Sequence, residues 1–379
     1  MPVHVSYRFD QKSRRFGHGP SPSARIFFMS SNIQQISSSL MSNASLISDE
    51  QASTLSARLF DIPGRATTLK GERDQNFLIS GDKGRFILKI TNPAEDRSIT
   101  EFHTQALLHV ARSDPTLLVP RVLPTVDGDY EAVMVDDEGR SRVVRLLSFL
   151  PGVMASTVAS DKDIRSGIGS MLARFDLALK GFSHPAACYE LSWDLTQVSR
   201  LRHLLSKVEL ADNRKRAEVA LDAYERLVEP AVATLRKQII HNDLNPYNVF
   251  VSETLPRKIL GLIDFGDMIH APLINDLAIA ASYHVGKDGD TLQPVSEIVS
   301  AYNNILPLKP EECDLIYDLI ATRLAMTVLI TEWRAQRFPE NRTYILKNHP
   351  AAAQGLARLA DISRQDAQGR FRRLCGLER

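Results

Sequence analysis

The sequence predicts a two-lobed α+β protein. Three observations lead there. Two β-hairpin patterns flank a single amphipathic helix in the first part of the chain, the second part is mainly helical by periodicity, and Leu147 to Gly152 forms a break between them that ends in Leu-Pro-Gly. At 379 residues the chain exceeds one minimal core.

The bulk numbers narrow the class. A composition of 44% hydrophobic and 24% charged residues is that of an ordinary globular protein. A formal net charge of +1 gives no whole-chain signal for nucleic acid or a membrane surface, so neither is expected as a partner. Cys188, Cys313 and Cys375 are widely spaced and form no CxxC pair. This argues against a thiolate zinc site or a disulfide framework, and for free thiols in a reducing cytoplasm. No apolar run reaches the roughly 18 residues that a membrane span needs.

Residues 1–47 differ from the rest. They are rich in Ser and Arg, have Asp10 as their only acid, and lack the apolar core of a secretory signal. They read as a disordered tail or a mis-called start, with Met29 or Met41 as the true one, although the composition also resembles an organelle transit peptide. Order begins at Ser48, which caps a helix running to Phe60 and broken by Ile62-Pro63-Gly64. Asn76–Ser80 and Arg85–Ile90 alternate as strands around the turn Gly81-Asp82-Lys83-Gly84. A helix follows over Ile99–Ala111, with Phe102, Ala106, Leu107 and Val110 on one face. Tyr130–Val135 and Arg142–Phe149 form a second hairpin, which completes a first lobe over residues 48–147.

The second lobe spans residues 148–379. Helices are expected over Asp161–Leu179, Leu201–Val208 and Asp212–Arg236, then from Asp276 onward. Between them, Gln238 to Ile269 reads as short strands and polar loops, and the chemistry is concentrated there. An apolar strand leads into His241-Asn242-Asp243, Asn248 follows five residues after Asp243, and Ile259–Ile263 ends in Asp264-Phe265-Gly266-Asp267. Phosphoryl transfer needs a carboxylate to take the proton of the attacking hydroxyl, and oxygen ligands for a metal that neutralises phosphate charge. Asp243 supplies the base, and Asn248 and Asp264 the ligands for Mg2+. The spacing of Asp243 to Asn248 and the Asp-Phe-Gly triplet match the kinase catalytic and metal loops. His241 is expected to brace the loop rather than to bind metal.

Lys89, near the end of its strand, is placed to reach the α and β phosphates, with Glu101 on the following helix as its partner and Gln105 as a substitute. The phosphate-covering loop falls at Lys70–Phe77. It holds one glycine rather than a glycine-rich run, and offers Arg73, Gln75 or Asn76 to phosphate. That departure, and the lack of an Ala-Pro-Glu segment after Asp264, argue against a protein substrate.

These residues together resemble the aminoglycoside phosphotransferase and choline kinase superfamily. Arg145–Gly152, Asp74-Gln75-Asn76-Phe77, Leu88-Lys89-Ile90-Thr91-Asn92 and Ser192-Trp193-Asp194-Leu195 are similar to hydroxylysine kinases and their bacterial relatives, over about residues 45 to 375. The resemblance implies a two-lobed protein-kinase-like fold and a small N-lobe built on an antiparallel sheet. It also implies a hinge at Ser148-Phe149-Leu150 that holds the nucleotide base, and Asp276 as the brace of the catalytic loop. It implies ATP or GTP as phosphate donor and a small amine alcohol, above all hydroxylysine or a similar hydroxy-amino acid, as acceptor. An aminoglycoside, choline or homoserine is the alternative acceptor, and a nucleotide-binding pseudokinase the non-catalytic rival. Trp193, Asp194, Asp267, Tyr283, Arg323, Glu332, Trp333 and Arg334 are the candidates to hold the acceptor's ammonium and carboxylate, with Asp267 and Asp194 preferred.

Overall fold

The computed structural model describes residues 46–69, 71 and 73–377. The expectations for residues 1–45, and for Lys70 and Glu72 of the phosphate-covering loop, lie outside the described residues.

The first helix, α1, spans Asp49–Phe60, and Ser48 caps it in a reciprocal capping box with Gln51. A sheet follows in the order β1-β2-β3-β6-β4, with β5 also on β6 and every pairing antiparallel. Its strands are β1 (Arg65–Leu69), β2 (Gln75–Gly81), β3 (Gly84–Ile90), β4 (Val122–Leu123), β5 (Ala132–Val135) and β6 (Ser141–Ser148). The two expected hairpins are β2–β3 and β5–β6. The sequence does not mark β1, because only Ala66 in it is buried and an edge strand need show no apolar alternation.

Period-two alternation divides β3 between two faces. Leu88 and Ile90 join Phe77, Ile79, Val144 and Leu146 in a core covered by Ala52, Leu55 and Phe60 of α1. Ile87 and Lys89 take the other face. There Asn76, Lys89 and Arg145 stand side by side across β2, β3 and β6. The helix α2 (Arg97–Ser113) follows β3, and its apolar face, Phe102, Ala106, Leu107 and Val110, belongs to the larger core of the second lobe.

After β6 the chain passes through β7 (Val153–Met154) into helices. The longer ones are α3 (Lys162–Ala178), α4 (Ala211–Ala223), α5 (Leu273–Ser282), α6 (Gln293–Asn303), α7 (Ile316–Arg337), α8 (His349–Leu359) and α9 (Arg364–Leu374). The long helix α7 packs against α4, α5 and α8. The helix expected over Asp212–Arg236 is interrupted. It is α-helical to Ala223, opens into a π turn over Tyr224–Val228, and ends in a 3-10 turn over Glu229–Ala231. Pro230 is the physical reason, since its ring crowds the carbonyl four residues back, at Arg226. The helix expected over Leu201–Val208 is instead the end of a 3-10 segment, Leu195–Lys207. The short strands are β8 (Lys237–Ile240), β9 (Val249–Val251), β10 (Ile259–Leu262) and β11 (Ile269–Pro272). β9 pairs with both β10 and β7, and β8 pairs with β11. No helix among the described residues is long and apolar enough to cross a membrane.

Candidate active site

The two small strand pairs aim a polar loop into the cleft between the lobes. β8 ends at Ile240, and the next two backbone N–H groups are both held by one carboxylate. The His241 N–H donates to Asp276 Oδ2 at 2.7 Å, and the Asn242 N–H donates to Asp276 Oδ1 at 2.9 Å. Asn242 adopts a left-handed backbone, φ 65°, an uncommon conformation for a residue with a side chain. The Asp276 carboxylate fixes that turn.

His241 is fully buried and braces the same loop. Its Nδ1 accepts from the Asp243 N–H at 3.3 Å, so its Nε2 carries the proton and donates to the Ile263 carbonyl at 3.0 Å. Phe265 and Phe175 enclose the ring, with centroids 5.1 and 5.8 Å away. The imidazole thus ties the loop before Asp243 to the strand before Asp264, as a brace and not as a metal ligand.

Behind Asp276 lies a second buried acid. Asp176 of α3 accepts from the Tyr302 hydroxyl at 2.5 Å through Oδ2, and its Oδ1 has no donor among the described residues. Burial and the adjacent Asp276 push Asp176 well above the usual carboxylate range. Burial raises Asp276 as well, while His241 and the two N–H bonds that Asp276 accepts oppose that shift.

Asp243 stands at the centre. Asn245 Nδ2 donates to its Oδ2 at 2.9 Å, and Asn248 Nδ2 donates to the same oxygen at 3.1 Å and to its carbonyl at 2.8 Å. Arg323 Nη2 donates to Oδ1 at 3.1 Å. Burial pushes the Asp243 carboxyl up to about 7, Arg323 opposes the shift, and Asp267 and Asp264 add to it. Because the Asn248 amide spends its N–H on Asp243, its Oδ1 is turned the other way. Asp264 is exposed, has a left-handed backbone (φ 65°), and among the described residues carries no hydrogen bond or ion pair. An amide oxygen and an unengaged carboxylate suit Mg2+, which takes one or two protein oxygens and completes its shell with water and phosphate. No group of three or more His, Cys, Asp or Glu able to hold a metal occurs among the described residues, so a closed zinc-type site has no ligand set there.

On the first lobe, Lys89 projects from the cleft face of β3 and pairs with Asp74 at 3.6 Å. The expected partner Glu101 does not meet it. Glu101 is exposed and lies roughly half a helical turn away from Phe102, Ala106 and Val110, the face that α2 buries. Asp74 arrives instead from the turn before β2, a position that only the sheet register brings to Lys89. Arg145, beside Lys89, is buried and donates to Thr104 Oγ1 at 3.2 Å. Arg73 reaches across the cleft to Asp267 at 3.1 Å, and that contact raises its guanidinium above its usual range.

At the hinge, Ser148 and Arg121 exchange two bonds of 2.8 Å. The Ser148 N–H donates to the Arg121 carbonyl, and the Arg121 N–H donates to Ser148 Oγ. The Phe149 ring receives the Arg85 guanidinium at 4.1 Å, and Leu150 packs over Gly261, where any side chain would collide with it.

The acceptor candidates separate. Trp193, Tyr283 and Arg323 gather beside Asp243. The Arg323 guanidinium lies 4.8 Å over the Trp193 ring, and Nη2 donates to Tyr283 Oη at 3.3 Å. Asp194, one of the two preferred, is a helix cap whose oxygens accept from the Thr196 N–H at 2.8 Å and hydroxyl at 2.6 Å. Those two bonds hold the Asp194 carboxylate at the start of the 3-10 segment. Glu332 accepts from the Glu209 N–H at 2.6 Å and from His349 Nε2 at 2.8 Å. Tyr189, which the sequence does not single out, donates its hydroxyl to the Gly266 carbonyl at 3.2 Å beneath the Asp-Phe-Gly turn.

The model of the phosphotransferase enzyme family matches residues 66–305, well over half of the chain. The chain belongs to this family. As a family member it is a small-molecule phosphotransferase, a kinase acting on hydroxyl groups. It is 28% identical to the hydroxylysine kinase of Xenopus laevis over 352 residues, covering 86% of this chain and 93% of the relative. To that of Danio rerio it is 25% identical over 338 residues, covering 86% and 95%. Among solved structures, a microcompartment-associated aminopropanol kinase aligns with a TM-score of 0.61 at 19% identity, covering 82% of this chain and 97% of that one. An amicoumacin kinase aligns at 0.58 and 16%, covering 85% and 94%. At such identities the likeness is one of fold, and it agrees with the two-lobed kinase-like architecture expected from the sequence.

Proposed function

We propose that this phosphotransferase moves the terminal phosphate of ATP or GTP to the hydroxyl of a small amine alcohol, with hydroxylysine or a similar hydroxy-amino acid as the acceptor. The observation that carries the reading is Asp243. It is a carboxylate with a raised proton affinity, held in a fixed loop, and still 22% exposed to the cleft. In this reading Asp243 accepts the proton of the acceptor hydroxyl as that oxygen attacks the terminal phosphorus. Asn245 and Asn248 orient the carboxylate through Oδ2. Asn248 Oδ1 and Asp264 would hold Mg2+, whose charge offsets that of the phosphates. Lys89 binds the phosphates in exchange for Asp74, and the hinge Ser148-Phe149-Leu150 receives the nucleotide base. Residues 48–147 act as the nucleotide lobe, and residues 148–379 carry the catalytic loop and the acceptor site. The similarity to hydroxylysine kinases over most of both chains supports the acceptor class.

The test is a coupled transfer assay with Mg2+ and either nucleotide against hydroxylysine, homoserine, choline, ethanolamine and aminoglycosides. Turnover on hydroxylysine that falls by at least about 10²-fold in Asp243→Asn is expected, in line with the usual contribution of a positioned base. Nucleotide binding without turnover on any acceptor would overturn the proposal in favour of a non-catalytic nucleotide-binding protein.

A further inference from the structure

Three arginines elsewhere in this chain receive a carboxylate in one and the same way. Arg202 grips Glu225 through Nε at 2.9 Å and Nη2 at 2.8 Å, Arg236 grips Glu312 at 2.7 and 2.5 Å, and Arg372 grips Asp314 at 2.6 and 2.5 Å. In each pair the Nε–Nη2 edge of the guanidinium meets both oxygens. This is the bidentate geometry that distinguishes arginine from lysine.

Arg323 departs from that pattern. Its side chain is 3% exposed at the floor of the cleft, and its Nη2 donates to Asp243 Oδ1 and Tyr283 Oη. Its Nε–H is buried and has no acceptor among the described residues. The fork is half filled, and the empty half lies on the edge that already touches Asp243. The other side of the guanidinium is anchored, with Nη1 on the Trp193 carbonyl at 3.3 Å and the Trp193 ring packed against its plane. A buried donor without a partner is uncommon and calls for an explanation.

We propose that Arg323 is the receptor for the acceptor's carboxylate. The α-carboxylate takes the Nε–Nη2 edge, and Asp243 leaves Nη2 to face the acceptor hydroxyl. The proposal rests on the hydroxy-amino-acid reading above and deepens it, because it ties recognition of the carboxylate to release of the base. An acceptor lacking a carboxylate leaves Nε unfilled and Asp243 still paired. The site therefore selects amino acids over the corresponding amine alcohols.

Two measurements test this. The first compares kcat/KM for hydroxylysine and for its decarboxylated counterpart, in the wild type and in Arg323→Lys, which keeps the charge and loses the fork. The wild type is expected to favour the carboxylated acceptor by at least about 10²-fold, and Arg323→Lys by less than about tenfold, mostly through a higher KM. An unchanged ratio in the variant overturns the proposal. The second is calorimetric titration of lysine, which lacks the reacting hydroxyl, into protein loaded with a non-hydrolysable nucleotide. Binding in the wild type that is lost in Arg323→Lys, while both proteins bind nucleotide equally, supports the carboxylate site independently of turnover. Failure of wild-type protein to bind lysine overturns the site. Lysine binding without turnover on hydroxylysine leaves the site standing and instead rejects the reaction proposed above.

Discussion

The buried pair of Asp176 and Asp276 makes a quantitative prediction. Asp276 accepts two backbone N–H bonds from the catalytic loop, whereas burial and that neighbouring acid push the Asp176 carboxyl well above its usual range. Replacing Asp176 with Asn keeps the shape, keeps an oxygen to accept from Tyr302, and removes the titrating carboxyl. Below the ordinary carboxylate range, Asp176 is protonated in both the folded and the unfolded chain, and its contribution to stability is fully present. As pH rises, the unfolded chain releases that proton and the folded chain keeps it. The contribution is therefore lost until pH passes the raised folded value. The wild type should accordingly lose stability relative to Asp176→Asn by up to about 1.4 kcal/mol per pH unit from about pH 4 upward. Urea denaturation of both proteins between about pH 4.5 and 7.5 measures the gap. Asp176→Ala, run beside them, strands the Tyr302 hydroxyl and should cost about 1–3 kcal/mol. A gap between wild type and Asp176→Asn that stays constant with pH, or closes as pH rises, would mean that the fold does not raise the Asp176 carboxyl, and the account would fail.

Other outcomes follow from single contacts. Asp276→Ala leaves the N–H groups of His241 and Asn242 buried without acceptors. Urea denaturation should show a loss of about 2–6 kcal/mol, and transfer activity should fall with the displaced loop. Gly152→Ala should lower stability by at least about 2 kcal/mol, read as a drop in melting temperature, because Gly152 has φ 107° and an added Cβ would lie 2.6 Å from the Val251 carbonyl oxygen. Chelation should abolish transfer and Mg2+ should restore it. Asp264→Asn should raise the Mg2+ concentration for half-maximal rate at least about tenfold, with little change in melting temperature, because no protein partner is lost.

The order of chemistry along the chain is legible in the sequence itself. Asp243, Asn248 and Asp264 announce themselves because their spacing is local, with a short loop between strands fixing where each side chain sits. The hairpins β2–β3 and β5–β6 are legible for the same reason, since alternation and turn residues act over a few positions. What stays hidden is longer in range or lacks a local signature. The edge strand β1 buries a single residue and so has no pattern. The π turn at Tyr224–Val228 reflects one proline at the end of a stretch otherwise read as a single helix. Lys89 meets Asp74 rather than Glu101 because the rotation of α2 about its axis is set by packing Phe102, Ala106 and Val110 into the core. Asp194 is offered to the acceptor by the sequence, and the structure adds that it caps the segment that follows it, a role any aspartate before a helical turn can take. Arg323 lies 80 residues from Asp243 in the chain. The sequence supplies its charge, and the packing of α7 beneath Trp193 and Tyr283 sets that charge against the carboxylate. The sequence by itself thus determined the reaction class, because phosphoryl transfer needs a short, ordered set of oxygen donors. Only the tertiary structure decided which distant charges face that set, because they are brought there by helix packing and sheet register that no local pattern encodes.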